Sequence, residues 1–199
     1  TIVGAALDGD GDRCLIIEAT KTGYKVVDGD AIADLLLKAA ASNRPNSQWF
    51  LAASIESDLA LLSNPNSALE IITCETAVGD RWLSVELRKR GLVGKDMPKL
   101  FGVEDSGHVV LPSRHPNLED NWSLVGDGAA TLTTYLLAKS CIGNNEMIRG
   151  WKKRVSISNV DRTRWDGRNQ LSDDVANIAF SELNNLGEIT HWNRHGLDG

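Results

Sequence analysis

Short apolar segments alternate with helix-like segments along most of this 199-residue sequence, and this alternation restricts the folds that it can adopt. Apolar runs predict strands at residues 2–7, 14–18, 50–55, 69–74, 100–103 and 109–111. Helical spacing and capping residues predict helices at residues 30–39, 57–62, 80–90, 127–139 and 172–187. Strands alternating with helices are typical of α/β folds, so we predict a layered, mixed and largely parallel sheet with flanking helices.

Two local predictions concern helix ends and faces. Asp30 is predicted to cap the first helix, because it precedes the apolar pattern directly. Leu132, Leu136 and Leu137 are predicted on the apolar side of the helix at 127–139. Residues 113–124 fit none of the predicted elements.

Composition excludes several classes of partner. The sequence has 21 basic and 27 acidic side chains, a net charge of −6, which argues against a nucleic-acid partner. No apolar run approaches the ~18 residues of a membrane span, so no membrane contact is expected. Three dispersed cysteines without a C-x-x-C pair argue against a disulfide framework or a zinc knuckle. A reduced, cytoplasmic setting is therefore expected.

An acidic loop at residues 8–13 carries the strongest chemical signal. Asp8, Asp10 and Asp12 alternate with glycines and are followed by Arg13. Glycines let the backbone turn tightly, so that the three carboxylates converge on one point. Oxygen ligands of this kind suit Mg²⁺ or Ca²⁺, and an adjacent arginine can hold a phosphate. The loop therefore predicts a metal site that serves phosphate chemistry.

The same residues are compatible with other interpretations of the acidic loop. An EF-hand requires Gly and Glu where this sequence has Arg13 and Ala19, so that motif is excluded. A phosphatase of the haloacid dehalogenase type has D-x-D-G after a strand and would use Asp8 as nucleophile. That family then expects Thr or Val where this sequence has Asp12. This phosphatase and a solvated turn without an ion both stay open at this point.

A second loop, residues 102–108, lies between two predicted strands and contains Glu104, Ser106 and His108. A glutamate accepts hydrogen bonds, a serine both donates and accepts them, and a histidine titrates near neutral pH. Such a set can hold vicinal hydroxyl groups, but a polar turn has the same composition.

The acidic loop and the second loop together closely resemble the α-D-phosphohexomutase superfamily. That superfamily pairs a D-G-D-G-D-R magnesium loop with a later G-E-x-S-G-H sugar loop. Residues 27–30, 76–81 and 126–128 also resemble its motifs, the first two in its phosphoglucosamine mutase branch. The resemblance extends over residues 1–150 and is carried mainly by these two loops.

The resemblance implies roles for the acidic loop. Asp8, Asp10 and Asp12 would be the ligands of Mg²⁺, and Arg13 would be a catalytic phosphate contact beside them. The chemistry would be a phosphoryl transfer, in which neutralisation of charge and positioning do most of the work.

The resemblance also implies roles for the substrate side. Glu104 and Ser106 would bind sugar hydroxyls, and His108 would contact the substrate and assist proton transfer. Apart from the resemblance, the charge of Arg81 makes it a candidate contact for an anionic substrate, with a solvated helix face as the alternative.

The implied activity is that of an intramolecular phosphotransferase. A phosphoserine gives its phosphoryl group to a hexose phosphate, a hexose bisphosphate forms and reorients, and phosphate has moved between C6 and C1. The family's serine motif, T/S-A-S-H-N-P, and its R-x-S-G-T-E-P loop do not occur in this sequence. We therefore expect residues 1–28 to end a second, metal-binding domain, 29–145 to form a sugar-binding third domain, and 146–199 to begin a fourth. The remaining domains of the same protein would then be partners, and the alternative is a non-catalytic sugar-phosphate or metal-binding fragment.

Overall fold

A computed structural model describes residues 2–63, 69–143, 147 and 170–187. The chain divides into two compact units, residues 1–152 and 153–198. The first unit contains β1 (Ile2–Leu7), β2 (Cys14–Ala19), β3 (Tyr24–Val27), α1 (Gly29–Asn43), β4 (Gln48–Ser54), α2 (Leu59–Ser63), β5 (Glu70–Thr76), α3 (Asp80–Arg88), β6 (Leu100–Val103), β7 (Val109–Arg114), β8 (Trp122–Gly126) and α4 (Gly128–Ile142). In the second unit, α5 (Gln170–Leu186) confirms the helix predicted there.

The larger sheet has five strands in the order β5-β4-β6-β7-β8. β4 pairs in parallel with both β5 and β6, whereas β6–β7 and β7–β8 are antiparallel. The predicted α/β class, a mixed sheet with flanking helices, is confirmed. Its parallel part ends at β6, because β6, β7 and β8 follow one another with only short turns between them.

Strand β4 lies between β5 and β6 in this sheet and is buried on both faces. Phe50 and Ala52 join the apolar cluster formed with α3, whereas Leu51 and Ala53 join the cluster formed with α1 and α4. Alternate residues of a strand point to opposite faces, so the two clusters lie on the two sides of the sheet. The result is three layers, with α3 on one side and α1 and α4 on the other.

The start of α1 differs from the prediction. The N-cap is Asp28, whose Oδ1 accepts a hydrogen bond from the Ala31 N–H at 3.0 Å. Asp30 lies inside the first turn, fully buried, and its Oδ2 accepts from the Asp58 N–H at 2.8 Å. The prediction of Asp30 as the cap was therefore wrong, because the backbone already turns helical at Gly29.

The apolar face predicted for α4 was also partly wrong. Leu136 and Leu137 are 45% and 64% exposed, while Leu132 packs partly buried against the core. The side chains that α4 buries are Thr131, Tyr135 and Ala138. Tyr135 fixes this rotation, since its hydroxyl donates to the buried carboxylate of Glu18 on β2 at 3.0 Å. In the described residues, no helix is both long and apolar enough to cross a membrane.

Two strands were absent from the predictions. β3 completes a separate antiparallel sheet of order β1-β2-β3, and β8 forms a hairpin with β7. The hairpin accounts for most of residues 113–124. Two backbone hydrogen bonds join this hairpin to the loop between α3 and β6. The Trp122 N–H donates to the Leu92 carbonyl at 2.8 Å, and the Gly94 N–H donates to the Asp120 carbonyl at 2.7 Å.

Glu18 joins the smaller sheet to α4 through a buried ionic network. Its carboxylate lies 2.9 Å from Lys139 Nζ and 3.2 Å from Lys25 Nζ, and it accepts from the Tyr135 hydroxyl. Burial by itself raises the pKa of Glu18, but the hydrogen bonds and the lysine charges outweigh it and lower that pKa to about 2. Burial and the hydrogen bond to Glu18 raise the pKa of Tyr135.

The Glu18 network predicts a loss of stability in acid. Because the folded pKa of about 2 lies below the ordinary 4.5, the contribution is present above about pH 5 and is lost as the pH falls towards 2. The shift corresponds to about 3 kcal/mol. The free energy of unfolding can be measured by urea denaturation at several pH values across this range. As the pH decreases, it should fall less steeply for Glu18→Gln than for the wild type. Glu70→Gln, at an exposed position of β5, is the control and should keep the wild-type slope. Equal slopes for all three proteins would contradict the prediction.

Candidate active site

The acidic loop connects β1 to β2 and brings its three carboxylates together. One ligand atom from each of Asp8, Asp10 and Asp12 lies within 4.8 Å of the others. Asp8 shapes the turn, because its Oδ1 accepts hydrogen bonds from the Gly11 N–H and the Arg13 N–H, both at 3.2 Å. The predicted convergence of the three aspartates is present in the structure.

The pKa values of Asp8 and Asp12 in the acidic loop are shifted in opposite directions. Desolvation raises the pKa of Asp8, but the hydrogen bonds from the Arg13 and Gly11 N–H groups, the side-chain interaction with Asp12 and the charge of Arg13 outweigh it, so the net shift is downward. Burial, joined by the charges of Asp10 and Asp8, raises the pKa of Asp12 against the opposing charges of His108 and Arg13. Asp12 thus lies beside other negative charges in a partly buried position. A bound cation would stabilise the charged form of such a carboxylate.

The acidic loop and the second loop lie side by side. The Cys14 N–H donates to the Gly107 carbonyl at 3.0 Å, and Arg13 and His108 form an antiparallel bridge. Gly107 has a φ of +91°, and a Cβ there would lie 2.5 Å from the Cys14 carbonyl oxygen. Only glycine fits this close approach, so packing of the two loops requires a glycine at position 107.

Glu104 is buried and links the second loop to the turn before α3. Its Oε1 accepts from the Gly79 N–H at 2.6 Å, and its Oε2 accepts from the Ser106 hydroxyl at 3.3 Å. Glu104 follows the carboxyl end of β6, and Gly79 follows that of β5, so both lie at the edge where ligands bind in open α/β sheets. This contact was not predicted, since the sequence gives no signal that joins residues 79 and 104.

His108 is buried rather than open to solvent. Its Nδ1 lies 3.5 Å from Asp12 Oδ2, and its Nε2 has no hydrogen-bond partner among the described residues. A Cβ at Gly126 would overlap that Nε2. The imidazole is therefore held between the acidic loop and the end of β8.

The N-terminus of α4 closes the other side of the acidic loop. Asp127 caps α4 and accepts from the N–H groups of Ala129 and Ala130. The next residue, Gly128, donates its N–H to the Gly11 carbonyl at 2.8 Å, and a Cβ there would lie 2.7 Å from the Arg13 carbonyl oxygen. The acidic loop is thus fixed between the second loop and α4.

Arg81 lies in the first turn of α3 and is exposed. Its guanidinium stacks over the Trp82 ring, 4.5 Å from the ring centroid. It follows Gly79 by two residues, which places it on the turn that Glu104 holds.

Residues 28–145 match the family model described as the phosphoglucomutase/phosphomannomutase α/β/α domain III. The chain belongs to this phosphohexomutase family. The superfamily predicted from the two loops is therefore confirmed.

Curated relatives and solved structures agree with that assignment. The chain is similar to the phosphoglucosamine mutase of Nocardia farcinica, with 38% identity over 130 residues, which is 65% of this chain and 24% of that protein. It is also similar to the phosphoglucosamine mutase of Corynebacterium diphtheriae, with 36% identity over 130 residues, 65% of this chain and 25% of that protein. The chain thus spans about a quarter of the length of these phosphohexomutase relatives.

The fold is similar to that of solved superfamily members. An N-acetylglucosamine-phosphate mutase in a product complex superimposes with a TM-score of 0.52 and 16% identity, over 69% of this chain and 30% of that one. The apo form of such a mutase gives a TM-score of 0.51, with 16% identity over 68% of this chain and 31% of that one. At this identity the likeness shows the fold alone. None of these comparisons favours the phosphatase alternative.

The close packing of α1 on the second loop gives a prediction. A Cβ at Gly29 would overlap the carbonyl oxygen of Glu104, so Gly29→Ala must displace either α1 or the loop. We expect it to lower the free energy of unfolding by at least about 2 kcal/mol, measured by urea denaturation. Gly4→Ala is the matched control, because a Cβ at Gly4 meets nothing within 4 Å. Equal effects of the two substitutions would contradict the packing that is described.

Proposed function

We propose that this chain forms the metal- and sugar-binding part of a phosphohexose mutase most like phosphoglucosamine mutase. The reaction would be a magnesium-dependent intramolecular phosphotransfer between C6 and C1 of a hexose phosphate, through a phosphoserine and a hexose bisphosphate. The family assignment and the phosphoglucosamine mutase relatives support this proposal. The phosphoserine would come from other domains of the same protein.

The proposed division into domains follows the family's organisation. Residues 1–28 end a metal-binding second domain, residues 29–145 form the sugar-binding third domain, and residues 146–199 begin the fourth. The family match over residues 28–145 supports the middle part.

The residues of the acidic loop fit a hard divalent cation. They supply three carboxylates close together, and Asp12 Oδ1 is a buried oxygen with no hydrogen-bond partner among the described residues. Oxygen ligands and partial exposure are typical of Mg²⁺ sites, which keep positions open for water or phosphate. A magnesium ion held there by Asp8, Asp10 and Asp12 would neutralise negative charge on a phosphoryl group.

The second loop supplies groups suited to a sugar. Glu104 is immobilised by the Gly79 N–H, yet a carboxylate has about four acceptor positions, which leaves some for hydroxyl groups. Ser106 donates to Glu104, so its oxygen can still accept from a substrate hydroxyl. Arg81 would add positive charge for a phosphate.

Arg13 and His108 are the proposed catalytic residues. Arg13 would contact the phosphoryl group next to the metal ligands. His108 would contact the substrate and assist proton transfer, and its burial against Asp12 also suits it to hold the acidic loop in place. The observation that most supports the proposal is the backbone pairing between residues 13–14 and 107–108, because it holds the acidic loop against the second loop.

The metal role is tested by Asp10→Asn. Asp10 is exposed, so the substitution should leave the fold intact while it removes one of three ligands. We expect Mg²⁺ affinity, measured by titration calorimetry, to fall at least about tenfold. Phosphorus NMR should then show that Mg²⁺-dependent binding of glucosamine 6-phosphate is lost. Asp96→Asn, at an exposed position before β6, is the control and should match the wild type.

Three outcomes would contradict the proposal. Unchanged Mg²⁺ affinity in the Asp10 variant would remove the metal site from the acidic loop. If the wild-type chain with Mg²⁺ did not bind hexose phosphate, the proposal that the second loop binds a sugar would be wrong. Release of inorganic phosphate with a phosphorylated Asp8 would instead favour a phosphatase.

A further inference from the structure

The backbone of Arg13 is held by hydrogen bonds, whereas its side chain reaches solvent. Its N–H donates to Asp8 Oδ1 at 3.2 Å, and its backbone pairs with that of His108. The side chain is half exposed. Any change at Arg13 on ligand binding therefore requires only a new rotamer, with the loop itself unmoved.

The guanidinium of Arg13 lies across two of the three aspartates. Its Nε is 3.6 Å from Asp8 Oδ2 and 3.8 Å from Asp12 Oδ1. Both distances exceed the hydrogen-bond range of about 2.7–3.2 Å, so the contact is an attraction between charges with no directional bond. Within the described ranges, Arg13 is the one lysine or arginine that pairs with these carboxylates.

We propose that Arg13 is the counter-ion of the acidic loop before a metal binds, and that it exchanges this role for a phosphate contact afterwards. The inference rests on the proposed function, because it assumes that the loop binds a divalent cation. Once that cation neutralises Asp8 and Asp12, the attraction that holds Arg13 over them is removed. The guanidinium is then free to bind a phosphate through two parallel N–H···O hydrogen bonds.

The energies favour such an exchange. Three carboxylates within 4.8 Å repel one another, and one guanidinium compensates only part of their charge. A half-exposed ion pair is weak because water screens it, so a divalent cation with direct oxygen ligands displaces it easily. Arg13 consequently competes with the metal, and its removal should tighten metal binding.

The first test compares Mg²⁺ binding to the whole chain by titration calorimetry. Arg13→Gln should bind Mg²⁺ about two- to fivefold more tightly than the wild type, because it lacks the competing charge. Lys21→Gln removes the same charge from the exposed turn between β2 and β3 and should show the wild-type affinity.

The second test measures binding of inorganic phosphate with and without Mg²⁺. Without Mg²⁺, Arg13→Gln and the wild type should bind phosphate equally weakly, because the wild-type guanidinium is engaged by the aspartates. With saturating Mg²⁺, the wild type should bind phosphate several-fold more tightly than the variant. Thermal unfolding checks the fold: the variant should have a lower midpoint than the wild type in EDTA and the same midpoint in Mg²⁺.

The outcomes separate this inference from the proposed function. If the wild type binds Mg²⁺ and Arg13→Gln binds it equally or more weakly, the counter-ion role is refuted while the metal site stands. A midpoint lowered equally in EDTA and in Mg²⁺ would make Arg13 a structural residue and refute the exchange. If the wild type itself does not bind Mg²⁺, the proposed metal site and this inference are both refuted.

Discussion

The site depends on one short stretch of backbone pairing between two sheets. The Cys14 N–H donates to the Gly107 carbonyl, and Arg13 and His108 face each other across the same bridge. Cys14 begins β2 of the smaller sheet and His108 immediately precedes β7 of the larger one. Because each loop is anchored at the end of a strand, this pairing fixes the acidic loop against the second loop, and buried Cys14 and Ile16 carry the smaller sheet into the shared core.

Glycines make this close approach possible, and their roles are mainly in packing. Gly107 faces the Cys14 carbonyl, Gly128 faces the backbone of the acidic loop, and Gly29 faces the Glu104 carbonyl. A side chain at any of these positions would separate the elements that carry the polar groups. The residues of these loops therefore meet two requirements: some suit ligand chemistry, and the glycines allow close contact between neighbouring elements.

The sequence predicts well those features that depend on local pattern. The helices α1, α3 and α5 and the convergent aspartates were predicted, because capping residues, apolar periodicity and glycine spacing are local signals. β3 was missed because Tyr24, Lys25 and Val26 are exposed on an edge strand and show no alternation. The rotation of α4 and the contact from Glu104 to Gly79 could not be predicted, since each depends on a partner distant in sequence. The burial of His108 could not be predicted either, since it depends on Asp12 and Gly126, which are also distant in sequence.

We propose that the acidic loop and the second loop form one site. Paramagnetic relaxation by Mn²⁺, bound in place of Mg²⁺, tests it directly in the amide NMR spectrum of the whole chain. We expect strong broadening of the amides of residues 8–13 together with those of residues 106–108, and little effect at the distant N-terminal end of β4. Broadening of the acidic loop with sharp signals throughout residues 104–108 would contradict it.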